Sequence, residues 1–414
     1  MAVPKLRFKA DDGSDYPEWN DFTKLEDISA FITKGAKPTT YGFDWKPNGV
    51  YFFRNDCIKN NVFVYGDYSF IAEEANKFLQ RSEVTGGDIV IAITGDIGKV
   101  GLIPSEVKKA NINQHLARVR IVKDAFPYFV YMYLCSDKVQ RTYKKIKTGL
   151  SMPQLSLAQI RDTNIPVVSL PEQQKIAEFL STIDTVIEKQ KETVSAWEER
   201  KKGVMQKLFS QEVRFKADDG SEFPDWEEKK LGDCCSLITK GTTPKEYPEN
   251  GDVNFVRIDC IENGSINISK CLKINEQIHN GELARSVLKE NDLLCSIAGA
   301  LGVVTVVTKD ILPANTNQAL AILRLYESEN VQYISKTLSS YIMEKYIREC
   351  KTVGAQPNLS LGQMRDLIIP YPCSDEQQKI ADCLSSLDEV IEKQKATLAA
   401  WEELKKGLLQ QMVV

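Results

Sequence analysis

The sequence predicts an α+β chain: two strand-rich domains in a pseudo-two-fold arrangement, joined by two long helices that form an antiparallel coiled coil. Three observations carry this reading: a repeat that spans nearly the whole chain, a heptad seam in each copy, and short β-rich runs that give way to helices late in each half. Glu172 to Lys202 (EQQKIAEFLSTIDTVIEKQKETVSAWEERKK) and Glu376 to Lys406 (EQQKIADCLSSLDEVIEKQKATLAAWEELKK) agree at 22 of 31 positions with a constant offset of 204. Arg7 to Trp19 (RFKADDGSDYPEW) likewise returns as Arg214 to Trp226 (RFKADDGSEFPDW).

The helices come first because the rest is arranged about them. Ile176, Leu180, Ile183, Ile187, Gln190, Val194 and Trp197 follow a 4-3 spacing that continues through Lys201, Val204 and Leu208. The second copy repeats it as Ile380, Leu384, Leu387, Ile391, Gln394, Leu398 and Trp401, then Lys405, Leu408 and Met412. A sustained two-position stripe is the pattern of a supercoiled helix and is narrower than an ordinary domain-facing stripe. A parallel pair would stack Trp197 on Trp401 and Lys201 on Lys405, whereas an antiparallel pair centred on Gln190 and Gln394 separates them. That register sets Trp197 near Leu387, Trp401 near Ile183 and Leu180 near Leu404, in a coil roughly 55 Å long at about 1.5 Å per residue. The competing arrangement packs each helix on its own domain alone.

Each repeated lead-in has Asp, Gly and Pro at turn positions and a Trp anchor. The first helix runs directly into the second lead-in, so the sequence reads as a circle cut between a helix and its lead-in, with the termini close together. Within the first half, strands are expected at Val50 to Arg54, Asp88 to Thr94, Val100 to Ile103 and Leu116 to Ile121. Their echoes are Asn254 to Ile258, Leu293 to Ala298, Val303 to Val307 and Ala319 to Leu325. One helix is expected from Pro127 to Lys145 and one from Asn330 to Cys350. Ile32-Thr33-Lys34-Gly35 matches Ile238-Thr239-Lys240-Gly241, and Asn113-Gln114 matches Asn317-Gln318. Order is kept while the loops diverge.

Composition narrows the function classes. No stretch of eighteen apolar residues occurs and the N-terminus lacks a secretory core, so a cytoplasmic protein is expected, with no membrane. Ten cysteines without a C-x-x-C pair, beside only two histidines, read as buried thiols and not as zinc ligands or disulfides. The net charge of -4 is unevenly spread. Residues 20 to 168 carry 20 basic and 15 acidic side chains, whereas 229 to 370 carry 16 of each. Such a balance permits DNA binding without requiring it.

No catalytic constellation is legible. A methyl-donor glycine motif and an N-P-P-Y-type motif are both missing. Thr94-Gly95-Asp96-Ile97-Gly98-Lys99 and Ala298-Gly299-Ala300-Leu301-Gly302 lie between strands and read as hairpin turns, since neither has the Ser/Thr after Lys of a phosphate loop. His115 faces Ala319 in the repeat, and His279 beside Asn280-Gly281 reads as a surface turn residue. The expected sites are therefore recognition surfaces on loops of a rigid frame. Lys34, Lys37, Thr39, Thr40 and Tyr41 follow one glycine element, and Lys240, Thr242, Thr243 and Lys245 the other; lysines and hydroxyls there suit phosphates. Arg54, Asn55, Gln114 and Arg257 have the donors to reach base edges.

Gly149 with Met152-Pro153-Gln154, Gly354 with Gln356-Pro357-Asn358, and the two E-Q-Q-K-I-A stretches at Glu172 to Ala177 and Glu376 to Ala381 stand twice in the same order. With these motifs the chain resembles, over essentially its whole length, the specificity subunit of type I restriction-modification systems. The resemblance implies a non-catalytic reader of a bipartite, asymmetric site on double-stranded DNA, one target-recognition domain per half-site, with the antiparallel helices as spacer. It also implies two methyltransferase subunits as partners, joined by restriction/translocase subunits, with the methyl donor, ATP and magnesium belonging to those partners and no cofactor in this chain. The expected division is 1–168 for target-recognition domain 1 (lead-in 1–19), 169–210 for spacer helix 1, 211–372 for target-recognition domain 2 (lead-in 211–228) and 373–414 for spacer helix 2. Two other readings stay open: a coiled-coil protein scaffold without DNA recognition, and a DNA-modifying enzyme whose motifs are not legible.

Overall fold

Each E-Q-Q-K-I-A stretch lies at the start of a long helix, and most of its residues are buried or bonded. The computed structural model describes residues 4–122, 125–149, 152–247, 251–262, 264–350 and 358–413; Gly354, Gln356 and Pro357 of the second glycine-proline motif lie outside the described residues. Contacts divide the chain into two units, residues 1–191 with 396–414, and residues 192–395.

In the first unit the order is β1 (Phe22–Lys24), β2 (Ser29–Lys34), β3 (Val50–Phe53), β4 (Ile58–Lys59), β5 (Val62–Phe63), β6 (Ser69–Ile71), α1 (Glu73–Phe78), β7 (Glu83–Val84), β8 (Ile89–Ala92), β9 (Val100–Leu102), β10 (Ala110–Ile112), β11 (Leu116–Ile121), α2 (Pro127–Cys135), α3 (Asp137–Ile146), α4 (Leu157–Arg161), β12 (Asn164–Pro166) and the start of α5 (Leu170–Phe209). The second has β13 (Glu227–Lys230), β14 (Cys235–Lys240), β15 (Val253–Val256), β16 (Ile261–Glu262), β17 (Ser265–Ile266), β18 (Leu272–Ile274), α6 (Glu276–Asn280), β19 (Leu293–Ser296), β20 (Val304–Val306), β21 (Ala314–Thr316), β22 (Leu320–Leu325), α7 (Val331–Leu338), α8 (Tyr341–Cys350), α9 (Leu361–Asp366), β23 (Ile368–Tyr371) and the start of α10 (Ser374–Met412).

One antiparallel sheet runs β2-β11-β8-β9 and its counterpart β14-β22-β19-β20; a second runs β6-β3-β10-β7 and its counterpart β18-β15-β21. In the latter sheets β3 pairs parallel with β10, and β15 with β21. Strand β8 is apolar throughout because both faces are covered: Ile89 and Ile91 enter the core shared with the helices, Val90 and Ala92 the core between the sheets. Both glycine-rich turns are hairpins, β8 to β9 and β19 to β20, with Gly95, Gly98, Gly299 and Gly302 at positive φ.

The lead-in and the helix start are joined by a buried carboxylate. Glu172 is fully buried and accepts from Arg7 Nε and Nη2 at 2.9 Å each and from Trp19 Nε1 at 3.1 Å. Arg7 also donates to the Pro17 carbonyl at 2.6 Å. The second unit repeats this with Glu376, Arg214 at 3.1 and 2.8 Å and Trp226 at 2.8 Å. The carboxylate hydrogen bond raises the pKa of both guanidiniums. Gln173 accepts from the Phe126 N–H at 2.8 Å, and Lys175 donates to the Lys9 carbonyl and Asp11, as Lys379 does to Lys216 and Asp218. Finally, the Leu6 N–H donates to the Gln411 carbonyl at 3.1 Å, which repeats Val213 N–H to Lys207 at 3.3 Å: the first lead-in meets the end of α10 as the second meets the end of α5.

Helix halves pair within each unit. In the first, Ile176, Leu180, Ile183 and Ile187 of α5 share a core with Met412 and Val413, and Leu398, Trp401 and Leu408 pack against it. In the second, Met205, Leu208 and Phe209 of α5 share a core with Ile380, Ala381 and Leu384, with Leu387 against it. There Glu198 pairs with Lys395 and, one turn on, Lys201 with Asp388, so α10 runs backwards as α5 advances. Lys405 pairs with Asp184 in the same way in the first unit. Val194 and Ile391 are buried, while Gln190, Gln394 and Trp197 are half-buried.

Four expectations need correction. Leu404 is 48% exposed and does not cover Leu180, while half-buried Lys201 and Lys405 each reach an aspartate. Pairing of the helices and packing on the domain are not alternatives either, because the core around Ile176 to Ile187 also contains Phe129, Val130 and Tyr143. The two late helices are each broken, at Ser136 and at Ser339–Ser340, because α2 is buried nearly all round while α3 lays only Val139 and Tyr143 on the core. His279 is no surface turn residue: it lies in α6, is 9% exposed and bonds Asn315 Oδ1 through its Nδ1. All ten cysteines are free thiols, and among the described residues no helix is long and apolar enough to cross a membrane.

Two predictions follow from these ties. Arg7→Ala leaves Glu172 buried without its cation and should cost about 3–5 kcal/mol, read by hydrogen exchange at the first turns of α5 because a two-unit chain need not unfold in one step; a loss under about 1 kcal/mol contradicts the tie. Burial works to raise the Asp388 carboxyl, but hydrogen bonds from Lys201 and Lys336 outweigh it and hold it below the usual range. A depressed folded pKa gives stability that is present above the unfolded value and lost as pH falls through the folded one. Below about pH 4 the helix pair of the second unit should therefore loosen, and Asp388→Asn should flatten that acid limb in circular dichroism; an unchanged limb contradicts the assignment.

Candidate nucleic-acid interface

A single edge of each unit gathers the repeated loop motifs. Strands β3 and β10 run parallel with Phe53 opposite Ile112, so the residues after them, Arg54 and Asn113-Gln114, leave the sheet side by side. The Asn113 N–H donates to the Phe53 carbonyl at 3.0 Å. On the neighbouring sheet Lys34 ends β2 opposite Ala117, and the Gly35 N–H donates to the Leu116 carbonyl at 3.1 Å. A Cβ on Gly35 would lie 2.1 Å from the carbonyl oxygens of both Ile112 and Asn113. Only glycine permits that approach, so the glycine of the I-T-K-G element exists to let it touch the Asn-Gln element.

The second unit repeats the edge. Val256 stands opposite Thr316, whose Oγ1 donates to the Val256 carbonyl at 2.8 Å. The Gly241 N–H donates to Leu320 at 3.2 Å, and a Cβ there would meet the carbonyls of Thr316 and Asn317 at 2.1 and 2.2 Å. Lys240, Arg257 and Asn317-Gln318 thus emerge where Lys34, Arg54 and Asn113-Gln114 do in the first unit.

The side chains on this shared frame differ. In the first unit Lys34, Lys37, Thr39, Thr40, Tyr41, Arg54, Asn55 and Gln114 are all exposed. Arg54 is held by Ser69 Oγ at 2.7 Å and by the Trp45 ring, 5.6 Å from its guanidinium carbon. Tyr41, 51% exposed, packs on Phe78, 61% exposed, at 5.2 Å between centroids. In the second unit Thr243 Oγ1 donates to Gln318 Oε1, Thr242 Oγ1 accepts from Arg285 at 3.2 Å, and the Lys245 N–H donates to Glu282 at 3.2 Å. Arg257 is half-buried and paired with Asp259 at 2.6 Å, so it faces the solvent less freely than Arg54.

Sequence reasoning missed Arg81 and Arg285. They stand 204 apart, and both touch the elements it had marked: Thr33 Oγ1 donates to the Arg81 carbonyl at 2.7 Å, and Arg285 donates to Thr242. The constant offset was the signal that could have found them. Other repeated charges belong to the frame. Arg120 with Asp88 and Arg324 with Asp292 form two-pronged pairs whose carboxylates are 2% and 1% exposed. Among the described residues no cluster of His, Cys, Asp and Glu is arranged to hold a metal.

Comparison with known proteins agrees with this duplication. The chain is 25% identical to the type I restriction enzyme MjaVIII specificity subunit of Methanocaldococcus jannaschii, covering 97% of this chain and 94% of that one. It is 23% identical to the type I restriction enzyme EcoBI specificity subunit of Escherichia coli, covering 89% of this chain and 80% of that one. Its fold is similar to the crystal structure of a type I restriction-modification S subunit from M. genitalium, with a TM-score of 0.55 at 17% identity over 99% of this chain and 98% of that one. Residues 17–195 and 224–400 each match the type I restriction modification DNA specificity domain. The chain therefore belongs to the type I restriction-modification DNA specificity family and carries its domain twice.

Proposed function

We propose that this chain reads a bipartite, asymmetric site on double-stranded DNA, with target-recognition domain 1 (1–168) on one half-site and domain 2 (211–372) on the other. The spacer helices, 169–210 and 373–414, hold two methyltransferase subunits to which restriction/translocase subunits join in the cytoplasm. The chain itself supplies no catalysis; the methyl donor, ATP and magnesium belong to the partners. The observation that supports this best is the repeated edge: one backbone frame, closed by Gly35 or Gly241, that presents unlike side chains in its two copies. A frame held constant under divergent loops suits two readers of two different half-sites.

Roles within the edge follow from chemistry. Arg54, pre-set by Ser69 and Trp45, has the fork that pairs with guanine in a major groove, and Gln114 the amide that pairs with adenine. Lys34, Lys37, Lys240 and Lys245, with Thr39, Thr40, Thr242 and Thr243, suit phosphates. Arg257 serves better as a positioning group while Asp259 holds it.

The test is DNA binding by the chain assembled with its methyltransferase subunits. Salt-dependent, sequence-selective binding supports the reading; an assembled complex indifferent to sequence supports a coiled-coil scaffold instead. Gly35→Ala should prise Lys34 away from Asn113 and weaken discrimination at one half-site by at least tenfold, while Gly241→Ala does the same at the other. If both variants blur the same half-site, the assignment of one edge to one half-site fails.

A further inference from the structure

Much of the positive surplus of the first unit lies on elements next to the reading edge, outside the residues of that edge. Helix α3 turns Val139 and Tyr143 to the core and leaves Lys138, Arg141, Lys144 and Lys145 exposed, with Lys147 just past its end. The β4–β5 hairpin brings Lys59 to the same region, its two-residue turn made by Asn60 and Asn61 at φ 51° and 59°. That turn is fixed in place: Asn61 Oδ1 accepts from the Val100 N–H at 3.0 Å and its carbonyl from the Tyr131 hydroxyl. A recess of about 520 Å³ lies between them, lined by Asn60, Asn61, Gly95, Lys99, Lys144 and Lys147.

These cations are mostly without counterions. Lys99 pairs with Asp96 at 2.6 Å and Arg141 with Asp137 at 3.5 Å. Among the described residues Lys59, Lys144, Lys145 and Lys147 make no ion pair. The second unit has less of this charge: at the offset of 204, Lys147 corresponds to Lys351 and basic residues also stand at Lys345 and Arg348, but two of the other counterparts are acidic. Gly98 lies under Tyr143 as Gly302 lies under Ile347, which sets α3 against α8 at the offset of 204. Lys138, Arg141, Lys144 and Lys145 thus correspond to Ile342, Lys345, Arg348 and Glu349, where Lys345 and Glu349 approach at 3.9 Å. Lys59 corresponds to Glu262, which pairs with Lys270.

The cationic face is continuous with the reading edge. The Ile93 N–H donates to the His115 carbonyl at 2.9 Å, directly after Gln114, and the turn that follows Ile93 forms one wall of the recess. Lys138, Arg141 and Lys145 recur along about 10 Å of helix, the length of about three base pairs at 3.4 Å each. Resting on the DNA-reading function proposed above, we infer that this face of the first unit grips the phosphate backbone beside its half-site, a sequence-independent hold that is weaker in the second unit, where Ile342, Glu349 and Glu262 replace Lys138, Lys145 and Lys59. Binding by the two halves is then unequal: one is anchored largely by charge, the other by its reading edge.

The test uses the chain assembled with its methyltransferase subunits, carrying Lys144→Gln, Lys145→Gln and Lys147→Gln together. These side chains are exposed, so the fold should survive. Affinity for a target duplex and a random duplex is measured across a salt series. At about 0.9 per phosphate contact, the slope of log K against log salt should fall by about 2–3, both duplexes should weaken by the same factor, and the modified sequence should not change. Lys345→Gln with Arg348→Gln in the second unit should lower the slope less per residue changed. An unchanged slope overturns the inference, as does a changed target sequence. Loss of methyltransferase subunits from the variant also overturns it, since the face would then dock protein. A wild-type complex that binds the target no better than random DNA overturns the proposed function, whatever the variants do.

Discussion

A carboxylate taken out of water must be paired and fully hydrogen-bonded, and in this chain that requirement ties the ends of each repeat together. Glu172 stands at the first turn of α5 yet is held by Arg7 and Trp19, some 150 residues earlier, and Glu376 is held likewise by Arg214 and Trp226. Because the guanidinium also bonds the lead-in carbonyl of Pro17 or Pro224, lead-in and helix start are fixed by one group. Both repeated motifs, distant in sequence, are two faces of this one contact. It holds the frame constant in each unit, and a constant frame is what allows the loops at its edge to differ.

Much of this architecture was legible because it rests on local rules. Period-two runs, turn residues and the 4-3 stripe marked β3, β8, β11 and the two long helices to within a few residues. The antiparallel sense was legible too, since Trp197 with Trp401 and Lys201 with Lys405 could not share layers. The surroundings of Leu404 were not. The apolar stripe placed Leu404 against Leu180, but a stripe scores only hydrophobic neighbours; the structure instead satisfies Lys201 and Lys405 with Asp388 and Asp184. Those aspartates are bonded in turn by Lys336 and Tyr128 of the globular parts, contacts no heptad pattern contains. His279 was misjudged for the same reason, since Asn315, its partner, lies 36 residues away.

The candidate interface was legible as motifs but not as a surface. Nothing in the spacing of Gly35 and Asn113 says that they touch; the parallel pairing of β3 with β10 brings them together, and parallel pairing has no short-range signature. Arg54 and Arg257 looked equivalent in sequence, yet Asp259 engages one while Trp45 and Ser69 prepare the other. Such unrepeated neighbours give the two edges unlike chemistry.

The most direct measurement of whether each unit reads independently on a shared frame is a map of modified bases in a host carrying the methyltransferase subunits and a hybrid chain. In that hybrid, residues 20–168 come from a relative with a different target, and the ties of Arg7 and Glu172 are kept. The account predicts that one half of the modified sequence changes and the other stays as it was. Both halves changing together, or neither, would contradict it.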